Sequence, residues 1–96
     1  MPRYVRTTNA RTDLRQIAIY IARDNPSAAM TWLAGVEQLF GLLASQPHIG
    51  ELIRSDRLGT IRRISHGAYV VYFRPVEQGV QILRVIHGAR QHEDLI

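Results

Sequence analysis

The dipeptide Asn25-Pro26 constrains this chain more than any other feature. It falls between two stretches whose apolar residues recur at helical spacing, and almost nothing else separates them. A proline drives the residue before it out of the helical region, yet is well tolerated at the first position of a helix. Asn25 therefore reads as an N-cap and Pro26 as position N1. The first helix follows a short extended segment, Arg3 to Thr7, in which Tyr4 and Val5 favour a strand. Thr8 or Asn9 can cap it, with Asp13 near its positive end. It carries Ala10, Leu14, Ile17, Ala18 and Ile21 on one face and stops near Asp24. The second helix runs from Pro26 to about Ser45, with Ala29, Trp32, Leu33, Val36, Leu39 or Phe40, and Leu43 as its stripe. Two helices joined by so little fold back as an antiparallel hairpin. Trp32 lies in register with Leu33 and Val36, which makes it a core side chain whose truncation should unfold the domain.

After Gln46-Pro47-His48-Ile49-Gly50, a loop broken by Pro47 and Gly50, the period changes. Leu58 to Ser65, Ala68 to Arg74 and Val80 to His87 read as strands, joined by turns at His66-Gly67 and at Pro75 to Gly79. The expected order is β-α-α-β-β-β: a short N-terminal strand, an antiparallel helical hairpin and a three-stranded antiparallel meander. One sheet packed on a helical hairpin is an α+β domain, and residues 1–96 form one such domain. The last strand is apolar on both faces. One parity holds Val80, Ile82, Arg84 and Ile86, and the other holds Leu83, Val85 and His87. Two helices cover only one face. The second face is then curved over by the long loop or covered by a partner, and an apolar patch containing Arg would be a protein-binding surface.

The charge is uneven. The chain has 12 basic residues, all Arg, against 8 acidic ones, for a net charge of +4 and a pI near 10.3. Between Arg54 and Arg90 seven Arg face only Asp56 and Glu77. A basic surface over the C-terminal half suits nucleic acid or an acidic protein partner. Guanidinium groups also bind phosphate and carboxylate bidentately. With no Cys, there is no disulfide, thiolate metal site or Cys nucleophile. The N-terminus does not read as a signal peptide, and no run is long enough to span a membrane, so a cytoplasmic protein is expected.

Few chemical signatures are present. There is no Gly-rich phosphate loop, G-x-S-x-G, H-E-x-x-H or carboxylate-rich calcium loop. No cofactor and no metal site is expected, because His48, His66, His87 and His92 lack ligand spacing. What remains is a set of Arg, His and Tyr around the strands. Metal-free RNA cleavage would need a base, an acid and cations around the phosphorane, which these types can supply. In a regular strand, however, Arg84 and His87 point to opposite faces and converge only if the strand ends or bulges near Ile86. The structural alternatives are an ion pair for Arg84 and a strand-end cap for His87.

The chain resembles the ParE toxins of bacterial type II toxin–antitoxin systems, within the wider RelE/ParE superfamily. The resemblance is carried by Ala10-Arg-Thr-Asp-Leu-Arg-Gln-Ile-Ala-Ile-Tyr-Ile-Ala, Asn25-Pro-Ser-Ala-Ala, Pro47-x-x-Gly50, Arg62-Arg-Ile, Tyr69-Val-Val-Tyr-Phe-Arg and Ile82-Leu-Arg-Val-Ile-His-Gly-Ala-Arg90. It implies a RelE/ParE-like fold and a toxin that inhibits DNA gyrase. It also implies neutralisation by a cognate antitoxin in a toxin–antitoxin hetero-oligomer. No catalytic residue is carried over on that reading. The alternative is a ribosome-dependent mRNA endonuclease of the RelE type, with ribosome and mRNA as partners. Its candidate residues are Arg62, Arg84, His87 and His92. The absence of Lys and of a Tyr after Arg90 favours the ParE branch. Candidates for target or antitoxin binding are Arg62, Arg63, Tyr72, Arg74, Arg84 and Arg90, and truncation of Arg84 is expected to abolish toxicity while leaving the fold intact.

Overall fold

The computed structural model describes residues 2–96. Seven elements follow in order: β1 Arg3–Arg6, α1 Thr8–Asp24, α2 Pro26–Ser45, β2 Glu51–Ser55, β3 Gly59–His66, β4 Tyr69–Val76 and β5 Gly79–His87. The strands form one sheet in the order β1-β5-β4-β3-β2. β1 runs parallel to β5, and every other neighbouring pair is antiparallel. The α+β class, the N-terminal strand, the hairpin and the meander all stand. The meander has four strands where three were expected. The extra one, β2, pairs with β3 from Glu51↔Arg63 to Ser55↔Gly59. It is an edge strand with Glu51, Leu52 and Arg54 exposed, so it lacks the apolar run that marks a buried strand.

Asn25 closes one helix and opens the next. Its backbone N–H donates to the Ile21 carbonyl at 3.1 Å, and its Oδ1 accepts from the Ala28 N–H at 3.1 Å. Its extended backbone, φ −157° and ψ 97°, is what the following proline requires. The cap of α1 is Thr7, one residue before the earlier of the two expected caps. Its hydroxyl accepts from the Ala10 N–H at 3.1 Å and donates to the Leu83 carbonyl at 2.9 Å. The Thr7 N–H also donates to the Ile82 carbonyl at 3.0 Å. The last strand thus fixes where the first helix starts. Asp13 is not in the first turn; it is buried on the sheet-facing side.

The main core lies between the helices and the sheet. Ala10, Leu14, Val36, Phe40 and Leu43 pack there on Val71, Phe73, Val80, Ile82 and Val85. Phe40 is fully buried, while Leu39 and Trp32 only flank this cluster. The core placement of Trp32 is therefore partial: its ring meets Tyr69 edge-on, with centroids 5.2 Å apart.

The other sheet face is covered by the chain itself. Ile61, Tyr72, Leu83 and Ile86 are buried beneath Ile53, Leu58, Val70, Leu95 and Ile96. Where the long loop or a partner was expected to cover this face, the chain itself does so: the β2–β3 hairpin and the C-terminal residues close over it. Strand parity changes for a local reason. Tyr72 pairs with Arg84 but Phe73 pairs with Ile82, leaving Leu83 as an extra residue. The bulge sends Val80, Ile82 and Val85 to the helices, and Leu83 and Ile86 to the opposite side. At the start of β5, Gly79 has φ +155°, and a Cβ there would lie 1.6 Å from the Arg3 carbonyl oxygen. Glycine lets β1 approach so closely.

Candidate functional site

The bulge precedes both Arg84 and His87, so it does not bring them together. Arg84 pairs with Tyr72 across the ladder and His87 with Tyr69. β1 ends its pairing at Ile82, which leaves the next stretch of the β5 edge to α1. There the Asp13 carboxylate accepts from Arg84 Nε at 2.7 Å, from Arg84 Nη2 at 2.9 Å and from the Val85 N–H at 2.9 Å. Arg84 Nη1 donates to the Leu95 carbonyl at 3.1 Å. The hydrogen bond to Asp13 raises the Arg84 pKa above its ordinary value, with burial opposing. Arg84 is thus a fork between helix, strand and C-terminal segment. Its truncation should therefore cost stability, where the sequence reading expects the fold to stay intact.

Two more of the expected residues are also occupied within the fold. Arg62 Nη1 donates to the His48 carbonyl at 2.6 Å and points at the Gly50 carbonyl at 3.4 Å, pinning the loop that follows α2. Arg74 donates to Gln81 Oε1 at 3.0 Å and to the Leu58 carbonyl at 3.3 Å.

Arg63, Tyr72, Arg90 and His92 do converge. With Arg54 and Ile53 they line an open cleft of about 420 Å³ on the side of the sheet away from the helices. Arg63 Nε donates to Glu51 Oε1 at 2.6 Å across the β2–β3 ladder. That bond, and next the neighbouring Tyr72 hydroxyl, raise the guanidinium pKa, against a smaller opposing effect of burial. Arg54 and Arg90 are exposed and have no side-chain hydrogen-bond partner among the described residues. Both are free to meet an anion.

His92 stands beside this cleft with both ring nitrogens engaged. Its Nε2 lies 2.9 Å from the His87 carbonyl, which can only accept, so Nε2 carries the proton. In the neutral ring Nδ1 is then the acceptor for the Tyr72 hydroxyl. Tyr72 is fully buried, so this bond gives its hydroxyl the partner that burial demands. His87 lies on the helix side, its ring edge-on to Tyr69 at 5.2 Å, and its Nδ1 accepts from the Ala89 N–H at 3.0 Å. The four nuclease candidates therefore occupy four different settings. Among the described residues, no three His, Asp or Glu converge as metal ligands.

Sequence reasoning missed Arg54 and Asp13. Arg54 sits on the strand that the apolar pattern did not reveal. Asp13 had a signal: it lies between Ala10, Leu14 and Ile17, an acid in phase with a buried stripe. A carboxylate there demands a cationic partner.

With this arrangement in view, the comparisons with known proteins are decisive for the family. The sequence model described as "ParE toxin of type II toxin-antitoxin system, parDE" matches residues 4–92. The chain belongs to the ParE toxin family. A solved structure of the chromosomal ParDE system from P. aeruginosa is similar to this ParE-family chain, with a TM-score of 0.70 and 22% identity. The match covers 91% of this chain and 96% of that one. At that identity the likeness speaks to the fold, and it matches the α+β arrangement described above. A search of curated protein sequences gives no match. No helix among the described residues is long and apolar enough to cross a membrane.

Proposed function

We propose that this ParE-family toxin acts in the cytoplasm by inhibiting DNA gyrase, and that a cognate antitoxin encoded with it neutralises the toxin. The observation that carries the reading is the family match over residues 4–92. Arg54, Arg63 and Arg90 around the distal cleft suit a target surface that meets acidic groups. For the antitoxin, the groove between α1 and α2 is the better-suited surface, because the far face of the sheet is already covered by the chain. Leu14, Ile19 and Leu33 line that groove with Arg11 and Arg15 along it, and Arg6 lies on its rim 3.8 Å from Glu37. An acidic amphipathic segment that folds on binding fits this pattern of apolar floor and cationic rim.

The nuclease reading is weaker on geometry. The two ring nitrogens of His92 are committed to Tyr72 and to the His87 carbonyl, and Arg84 is committed to Asp13. Neither is poised for proton transfer or phosphate contact as it stands. The deciding experiment gives purified toxin to gyrase with supercoiled plasmid and ATP, beside a cell-free translation reaction. Linear DNA after the gyrase is denatured, with translation intact, is the expected result. Cut mRNA with gyrase unaffected would overturn the proposal.

A further inference from the structure

A second cleft, of about 360 Å³, lies on the helix side of the sheet between α1 and the end of β5. Apart from Arg90 at its rim, it shares no lining residue with the basic distal cleft. Its volume is that of a small-molecule site. Its walls include Tyr20 and Gln16 from α1, Tyr69 from β4, and His87. The Tyr69 ring is held between two edge-on neighbours, Trp32 at 5.2 Å and His87 at 5.2 Å. Tyr20 is 66% exposed, unusual for so large a ring, and it lines the same cleft. His87 Nδ1 is occupied by the Ala89 N–H, so the neutral ring keeps Nε2–H as its free donor. Asp13 lies at the floor, but Arg84 neutralises its charge.

The cleft therefore offers two phenol rings, an imidazole donor, an amide and one cation. We propose that it binds a nucleotide unit, with the base stacked on Tyr20 and Tyr69 and the phosphate held by Arg90 and His87. An acidic peptide helix would need several cations along a groove, and that pattern belongs to the α1–α2 groove instead. Burial, and next the neighbouring Tyr20, raise the Tyr69 pKa. The unit can be a free nucleotide or one residue of a single strand, since both present the same base and phosphate.

Trp32 is the sole tryptophan and touches Tyr69, so its fluorescence reports on the cleft. Full-length toxin is titrated with AMP, adenosine, inorganic phosphate and a short single-stranded oligoadenylate. Equilibrium dialysis with labelled AMP and labelled oligoadenylate guards against a silent fluorophore. The expected result is saturable AMP binding at least ~10-fold tighter than adenosine or phosphate, as stacking and a cation together imply. Tyr20→Ala and Arg90→Gln each weaken it by ~10-fold or more, with circular dichroism unchanged. Tighter binding of the oligonucleotide than of AMP names a strand as the source, and the reverse order names a free nucleotide. No saturable binding of either ligand by both methods overturns the proposal. So does binding that Tyr20→Ala leaves unchanged.

Discussion

Asp13→Ala removes one carboxylate from three donors at once. Arg84 loses two bonds, at 2.7 and 2.9 Å, and the Val85 N–H loses its acceptor at 2.9 Å. The side chains are only 15% exposed for Arg84 and 8% for Asp13, so water cannot fully replace what is lost. Stranding one member of a buried ion pair costs about 3–5 kcal/mol, and an orphaned buried N–H about 1–3 kcal/mol. The two penalties overlap, and Arg84 retains the Leu95 carbonyl. A net loss of about 3–4 kcal/mol follows. A domain of this size holds roughly 5–14 kcal/mol in total, so at least a fifth of its stability rests on this carboxylate. At about 4–8 °C per kcal/mol, the melting temperature should fall by roughly 12–30 °C. A thermal melt followed by circular dichroism, with a urea titration beside it, measures both quantities. The double variant Asp13→Leu/Arg84→Met should recover part of the loss, because an apolar pair strands no charge, while the Val85 N–H still lacks its acceptor. A fall of less than about 4 °C for Asp13→Ala would refute the argument, being worth under 1 kcal/mol. A double variant no better than the single one would show that the stranded charge is not the cause.

Gly79→Ala should displace β1, because its Cβ would meet the Arg3 carbonyl at 1.6 Å, and loss of amide exchange protection at Arg3 and Thr7, which donate to the Gln78 and Ile82 carbonyls, is the readout. The Tyr69 phenol titrates above its ordinary 10.0 in the folded chain because it is buried. Above that value the unfolded state holds fewer protons than the folded one, so stability falls as pH rises through the folded pKa. Tyr69→Phe should remove this part of the alkaline loss, as urea midpoints at neutral and high pH would show. The double charge reversal Arg54→Glu/Arg90→Glu should abolish growth inhibition and leave the melting temperature within a few degrees, since neither side chain has a partner among the described residues. Full toxicity in that variant would remove the distal cleft as the target surface.

The helical half was legible because its signals are local. Asn25-Pro26 and the apolar stripes report directly on caps and faces, and both helices lie where those signals put them. β2 was illegible because an exposed edge strand has no periodic apolar face, and its partner rather than its own sequence makes it a strand. The parity of β5 failed at one residue. An extra Leu83 in the ladder cannot be read from alternation, and it reverses the faces of everything after it. The site was half legible. Residue types and charge pointed to Arg63, Tyr72, Arg90 and His92, but one arginine looks like another in sequence. Only the fold distinguishes Arg62, Arg74 and Arg84, tied to carbonyl and carboxylate oxygens, from Arg54 and Arg90, which are free.

The parallel pairing of β1 with β5 carries a consequence for synthesis. Arg3 finds its ladder partner at Gly79, and the Thr7 cap leans on carbonyls of Ile82 and Leu83. At translation speeds of about 5–20 residues per second, the first strand waits roughly 4–15 s for its neighbour to be made. Through that interval β1 has no ladder, and the start of α1 lacks its anchor. Because these contacts join distant ends of the chain, ring closure is a late and slow event in folding. A nascent chain of this topology cannot close its sheet until β5 is free of the ribosome, so its N-terminal strand stays open to other contacts for seconds.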